Sequence, residues 1–408
     1  MALMAAAYQK AGKQAVALAI IDKLPALTTA SQEIYNNAIR ELFYENKDAA
    51  AWKLFDKIRR QVLPSPTMCA TMMFRCGKLD QVEKAFSLHK ELTNQGMTAN
   101  APVHAALICA ASKRKEYYPM AIELFRQMEL FQMPVRMVVY DSLLYACSKV
   151  ADLNTAMSLW KAILSSADPH VKPSIYTCSN YIWSLASVES MRESKHSKRN
   201  FAYKVRGQDI SRAAIEVYNH VQESGLVVSP HLMSAMLAVL SNNKQVQSAE
   251  EFFWKEHEKF NIKRSPFAYE MMFKLYDNVA NYDGALRIHQ QLQLDKLKIP
   301  YEGWRALARC AALTDHLQEA LQHVKEMVAQ GYKPALSDLI HVNIRFLERE
   351  REDLSRKLKA LCINERIFAP NPLVPWLNRS KAVSSLLTDV YGKQAPECAT
   401  KIVIPSKG

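Results

Sequence analysis

The chain has 408 residues, 49% of them hydrophobic, with 53 lysines and arginines against 40 acids and a formal net charge of +13. That length can bury a large core, and only 10 glycines argue against a turn-rich β protein. No apolar run approaches the roughly 18 to 20 residues that cross a bilayer, so a soluble protein with no membrane contact and a polyanionic partner is expected. The eight cysteines form no C-x-x-C, and no histidine lies at zinc-finger spacing from a cysteine pair. Neither a metal site, a disulfide framework nor a cofactor is expected, and a reducing compartment fits best. Cys109, Cys147 and Cys310 fall among Ala and Leu, where a small thiol packs in a helix.

The N-terminal MALMAAAYQKAGKQAVALAIIDKL lacks both a signal peptide's layout and an Arg/Ser-rich presequence, and already reads as a helical hairpin. The numbering starts after a removed targeting peptide, the chain is a fragment, or no such peptide is needed. Further along, VVYDSLLYACSKVADLNTAMSLWKAIL (138–164) holds two apolar-periodic stretches. Val139, Tyr140, Leu143, Leu144 and Cys147 share one helical face. Leu153, Ala156, Met157, Trp160, Ile163 and Leu164 share another, with Asp152 as N-cap, so the unit is two short antiparallel helices.

Second-helix cores recur at 50–58, 82–92, 121–128, 156–164, 214–221, 248–256, 284–292 and 319–327, nearly all with a small residue near the start. Prolines 66, 102, 134, 173, 230, 266, 300 and 334 punctuate the junctions, mostly 32 to 39 residues apart. The long gap from 173 to 230 holds SVESMRESKHSKRNFAYKVRGQ (187–208), a basic insertion with six Lys/Arg against two Glu. Its cations are Arg192, Lys195, Lys198, Arg199, Lys204 and Arg206. They either track phosphates or belong to a solvated loop.

The segment IRFLEREREDLSRKLK (344–359) alternates charge sign and reads as one solvated or capping helix with Glu352 and Arg356 four apart. Beyond about 364 the repeat stops, and a tail (365–408) with prolines at 370, 372, 375, 396 and 405 and the cluster PLVPWL offers a surface for a protein partner. A hairpin of this size cannot bury its apolar face alone, so the expected fold is all-α. About nine stacked helix-turn-helix repeats over 1–364 form one α-solenoid superhelix.

MVVYDSLLYACSKVADLNTAMSLWKAILSSADPHVKPS resembles a pentatricopeptide repeat, with its V-x-Y-x-x-L-I opening, A-x-x-L-[FW] second-helix core and K-P close. VKPSIYTCSNYIWSLA, NQGMTANAPVHAALICAASK, VKEMVAQGYKPALSDLI and FRCGKLDQVEKAF share it. Tetratricopeptide repeats fit less well: W-x-x-L-G-x-x-Y is absent and the spacing favours 35 to 36 residues. The resemblance implies a right-handed superhelix and single-stranded RNA binding in an organelle, mitochondrion before chloroplast, one repeat meeting one base. The family's pattern uses the fifth residue of the first helix and the last residue of the repeat to specify the base, flanked by the second position.

Carried onto this chain, the pattern implies Asp141 with Ser174 flanked by Val138, Ser179 with Ser229 flanked by Tyr176, and Ser234 with Arg264 flanked by His231. Asn36, after Tyr35, fits an earlier repeat. Ala105 with Arg136, and Arg305, depart from it. Asp141, Ser179 and Ser234 also have a plain structural reading, as polar groups satisfying free N–H groups near a helix N-terminus. Hydrolase, zinc-protease, P-loop, dinucleotide and deaminase motifs are absent, so no catalysis is expected. An RNA binder acting in transcript processing, stability or translation is the first expectation. A structural scaffold in a large ribonucleoprotein such as a mitochondrial ribosome is the second.

Overall fold

A computed structural model describes residues 16, 19–20, 29–96, 99–192 and 207–365. Among them every regular element is helical. The chain divides into two units, Met1–Tyr203 with Glu216–Val227, and Lys204–Ile215 with Val228–Gly408.

In the first unit the hairpins are α1 (Thr29–Tyr44) with α2 (Asp48–Arg59), α3 (Pro66–Lys78) with α4 (Val82–Asn94), and α5 (Ala101–Ala111) with α6 (Tyr118–Leu130). They continue with α7 (Met137–Val150) and α8 (Leu153–Ser165), then α9 (Ile175–Arg192), which pairs in sequence with α10 (Gly207–Glu223). The second unit holds α11 (Pro230–Asn242) followed by α12, which runs Val246–Glu251, widens into a π turn at Phe252–Glu256 and closes at His257–Lys259. It continues with α13 (Pro266–Val279) and α14 (Tyr282–Leu294), α15 (Tyr301–Leu313) and α16 (Leu317–Ala329), and α17 (Leu336–Glu348) and α18 (Glu352–Asn364). The expected stacked hairpins are therefore present in each unit, and the all-α solenoid class holds.

The starts follow from local chemistry. Ser65, Asn100, Asp152, Ser229, Ser265 and Asn281 each accept a hydrogen bond from a backbone N–H two or three residues into the helix that follows. Prolines 66, 102, 230 and 266 occupy the first or second helical position, where a missing N–H costs nothing. Hairpin turns close through a residue in the left-handed region, at Asn46, Asp80, Ala151, Lys244, Ala280, Asp315 and Glu350. Side chains other than glycine serve there, which is how a chain with so few glycines makes so many reversals.

Glu350 overturns one expectation. Residues 344–359 are not a single helix: the left-handed turn at Glu350 ends α17 and lets α18 fold back, burying a hydrogen bond from Ser355 to Asn343 at 2.7 Å. Continuous charge alternation hid a hairpin turn that contains neither glycine nor proline.

Within each unit the first helices of consecutive hairpins pack on one another, α3 on α5, α5 on α7 and α7 on α9, then α11 on α13, α13 on α15 and α15 on α17. Close approach needs small residues. A Cβ on Gly77 would sit 2.9 Å from the Ala110 Cα, so glycine lets α3 and α5 meet backbone to backbone. Trp160 of α8 stacks on Tyr181 of α9 at 4.7 Å. Ion pairs pin successive hairpins in register: Arg75 grips Asp48 at 2.6 and 2.7 Å, and Arg349 grips the turn residue Asp315 with both contacts at 2.7 Å. The first is half-buried and the second largely exposed, so they set register more than they add stability.

In α14 the small residue at the start of the second helix is Gly284, whose added Cβ would lie 2.4 Å from the ring of Tyr276. Tyr276 is fully buried and held by its hydroxyl to Glu250, so the ring has nowhere to move. Gly284→Ala is expected to destabilise the protein by about 1–3 kcal/mol through overpacking, read as a lower urea midpoint, and an unchanged midpoint contradicts this packing.

Candidate nucleic-acid interface

The first helices of the first unit line a groove of about 750 Å³. Arg40 and Tyr44 come from α1, Phe74, Arg75 and Lys78 from α3, Ala105 from α5, and Arg136 and Val138 from the start of α7. Val138, proposed from sequence to flank a base, thus meets the Ala105 and Arg136 pair in one depression. Apolar ring and aliphatic surface sits beside cations there, the mixture that suits a single strand with stackable bases and charged phosphates.

Three lysines recur at one place in the repeat. Lys78, Lys113 and Lys149 each stand twelve residues after the first residue of α3, α5 and α7, and so 35 and 36 residues apart. Lys78 lies 5.3 Å from the Phe74 ring centroid, and Lys113 and Lys149 approach the Tyr145 ring at 5.0 and 4.6 Å. Lys149 also donates to the Lys113 carbonyl at 2.7 Å, which ties one repeat's lysine to the next. Among the described residues none of the three is paired with a carboxylate. Within the overall charge of the chain these lysines are three among many, and their repeat spacing is the one signal in the sequence that marks them.

Asp141 and Ser174 are brought together, by a residue that sequence reasoning missed. Thr177 Oγ1 donates to Asp141 Oδ1 at 2.6 Å and lies 2.9 Å from Ser174 Oγ, while Ser174 Oγ accepts from the Thr177 backbone N–H at 3.2 Å. Ser174 is therefore the cap of α9, and the serine-to-threonine spacing of three was its signal. Asn180 Nδ2 donates to the Asp141 carbonyl at 3.2 Å, so two side chains of α9 hold the middle of α7's first turns. Burial pushes the Asp141 carboxyl above its ordinary value, against the opposing effect of the Thr177 hydrogen bond. Asp141 caps no helix: Arg136 precedes α7, and the acid lies one turn in.

The other positions divide. Tyr176 is 69% exposed, with its ring open to a stacking partner, and His231 is exposed as well. Ser229 caps α11 by accepting from Leu232 N at 3.1 Å. The structure does not present Ser179 on a surface: it is 1% exposed and its hydroxyl donates to the Ile175 carbonyl at 2.7 Å. Ser234 is half-buried and donates to the Pro230 carbonyl at 2.9 Å in the same way. Asn36 is 7% exposed, with its Oδ1 buried and lacking a partner.

Arg264 is displaced from its expected role. Its guanidinium stacks over Phe253 and Trp254 at 5.1 and 5.2 Å, and its Nε donates to the Phe253 carbonyl at 3.0 Å, inside the π turn of α12. The residue standing where Ser174 and Ser229 stand is Ser265, which caps α13. The expected register slips by one there because Pro266, not Ser265, is the first helical residue.

Arg305 and Arg309 of α15 flank the buried Asp277 of α13 at 3.7 and 3.2 Å. Burial raises the Asp277 carboxyl's pKa, and the arginines Arg309 and Arg305 counter it. The flanks of the expected 187–208 insertion are helical, since α9 continues through Arg192 and α10 starts at Gly207. Lys195, Lys198, Arg199, Lys204 and Arg206 lie outside the described residues, as does the tail from 366. Among the described residues no cluster of three metal-ligating side chains occurs, and no helix is long and apolar enough to cross a membrane. The described cysteines are buried with free thiols, and burial pushes Cys69 and Cys310 up to about 12.

Stacked helical hairpins carrying a basic, partly aromatic groove define an α-solenoid of the kind built from pentatricopeptide or related repeats. Residues 67–97, which span most of the α3–α4 hairpin, match the PPR repeat family model. The hairpin of that matched repeat recurs along both units. A curated relative, the mitochondrial 15S rRNA processing factor CCM1 of Candida dubliniensis, is 22% identical over 155 residues, 37% of this chain and 20% of its own. The crystal structure of PPR10 in complex with an 18-nt psaJ RNA element aligns with a TM-score of 0.51 at 16% identity, over 89% of this chain and 60% of that one. PPR10 from maize without RNA aligns with a TM-score of 0.48 at 15% identity, over 95% of this chain and 60% of that one. The chain thus spans about a fifth of the curated relative's length and three fifths of PPR10's.

The Asp141 environment fixes a pH dependence. A carboxyl whose folded pKa lies above the unfolded 3.8 contributes stability that is complete below 3.8 and lost as pH rises through the folded value. Asp141→Asn keeps an acceptor for Thr177 without an ionisable group. Relative to that variant, the wild-type protein is expected to lose thermal stability as pH rises through the carboxylate range. A difference in melting temperature that stays constant from pH 3 to 7 contradicts the burial of this acid.

Proposed function

We propose that this protein binds single-stranded RNA in an organelle, the mitochondrion before the chloroplast, and acts in transcript processing, stability or translation without chemistry of its own. One observation carries the reading: the first-helix groove of the first unit, lined by Lys78 and Phe74, together with Lys113 and Lys149 beside Tyr145 at the same repeat spacing, none of the three lysines paired with a carboxylate among the described residues. Cations at one per repeat match the one phosphate per nucleotide of a single strand, and the neighbouring rings offer faces to bases. Asp141, whose Oδ1 is held by Thr177, supplies the acceptor for base reading beside the hydroxyl of Ser174, with Val138 and Tyr176 as flanking contacts. The RNA-bound state of PPR10 and the mitochondrial rRNA named for the curated relative support the polymer and the compartment.

A second reading has its own observation. Ala70, Ala105 and Ile340 stand at fifth positions of their first helices, and Ser179 is buried, so many repeats offer no base-reading group. That pattern suits a scaffold subunit of a large ribonucleoprotein, holding RNA with little sequence preference, with the tail from 365 as a protein contact.

Fluorescence anisotropy should show the purified protein binding a 12-nucleotide single strand more tightly than a duplex of the same sequence. RNA selection should then show that Asp141→Ala changes the preferred base at one position with a modest loss of total affinity, about 1–3 kcal/mol at most. An unchanged selection profile removes sequence reading and leaves the scaffold. Co-sedimentation with a ribosome-sized particle, surviving that substitution, supports the scaffold, and free migration through a gradient excludes it.

A further inference from the structure

The place that holds lysine in α3, α5 and α7 holds Glu41 in α1 and Ser187 in α9, and no lysine on any first helix of the second unit. Twelve residues after the starts of α11, α13, α15 and α17 stand Asn242, Asn278, Leu313 and Glu348. A strand whose phosphates followed this row would meet amides, an aliphatic chain and a carboxylate where Lys78, Lys113 and Lys149 stand in the other unit.

Of the cations on the second unit's first helices, Arg305, Arg309 and Arg345 are engaged with acids, while Lys274 donates to Asn242 Oδ1 at 3.0 Å. Asp277 lies between Arg305 and Arg309 at 3.7 and 3.2 Å, and Arg309 also reaches Asp338 at 4.0 Å. Arg345 pairs with Glu348 at 2.8 Å. Glu270 and Glu302 face each other across α13 and α15, near enough that Glu302 helps burial to raise the Glu270 carboxyl's pKa. A phosphate approaching here must displace an existing carboxylate from each arginine and approach the remaining acids, whereas at Lys78, Lys113 and Lys149 it displaces no carboxylate among the described residues and meets only the Lys149 hydrogen bond to the Lys113 carbonyl. The contrast is in pairing as much as in composition: α3, α5 and α7 together carry a single acid, Asp141.

From this we infer that RNA contact is confined to the first unit, and that the footprint is a short single strand of about four nucleotides held at consecutive phosphates by Lys78, Lys113 and Lys149. The inference rests on the RNA-binding reading above and narrows it: the protein does not read one base per hairpin along its whole length. The first-helix face of the second unit takes no nucleic acid.

The test uses the full chain and uridine oligomers of 3, 4, 6, 9 and 12 nucleotides. Confinement predicts that affinity stops rising by about six nucleotides, apart from the statistical gain of extra registers. Steady gain from six to nine and beyond overturns it, and this measurement needs no variant to fold. For the triple variant Lys78→Ala, Lys113→Ala, Lys149→Ala, the slope of log affinity against log salt should fall by about 2, at roughly 0.7 for each single-strand phosphate contact. That corresponds to roughly 100-fold weaker binding at 0.1 M than expected from the 1 M value. The control Lys274→Ala, Arg345→Ala in the second unit should leave affinity and slope unchanged. Equal losses from both variants overturn confinement while RNA binding stands. Failure of the wild-type protein to bind any single strand overturns the RNA reading itself, and this inference with it.

Discussion

Everything in this protein depends on one packing constraint: a two-helix hairpin has more apolar surface than it can cover by itself, so its first helix must lie against the first helix of the next hairpin. Where that contact is closest the chemistry leaves no latitude. Gly77 brings α3 within backbone distance of Ala110, and Gly284 leaves room for the ring of Tyr276. Because first helices stack in register within each unit, any residue at a fixed distance from a helix start lands in a row with its counterparts. A row of lysines, a row of caps and a row of fifth residues are consequences of the stacking, and the groove of the first unit takes Lys78 from the first of them and Ala70 and Ala105 from the last.

The same residues serve fold and site. Ser174 and Ser229 are helix caps by their hydrogen bonds and repeat-closing residues by their position. The capping requirement therefore places a small oxygen-bearing side chain at the repeat-closing position whether or not RNA is read there. Asp141 differs, because its carboxylate reaches across to Thr177 of the following first helix. Its half-buried charge is an expense to folding that no cap requires, which sets it apart from Ser179 and Ser234, whose hydroxyls return to their own helices.

Most of the hairpins were legible from apolar periodicity, proline punctuation and cap residues, since each of these acts within a few residues along the chain. Asp152 as a cap and the prolines at helix starts are examples. The break at Glu350 was not, because a left-handed turn can be made by a residue that carries no turn signature. Nor was the true partner of the expected Arg264 site: the π turn in α12 offers a carbonyl and two rings to that guanidinium, and a one-residue register shift puts Ser265 in its place. The candidate site was legible in position but not in orientation.

Sequence by itself determined that this chain forms short amphipathic helices in pairs, where the pairs begin, and which residues occupy equivalent places in each pair, because those properties follow from local hydrogen bonding and a 3.6-residue period. Tertiary structure alone decided which of those residues face a groove and with what charge. Lys113 and Lys149 stand beside Tyr145 with no carboxylate partner among the described residues while Arg305 and Arg309 close on Asp277, and the difference arises from acids contributed by a neighbouring helix, about thirty residues away in the chain. A side chain's availability depends on what the stacking brings against it.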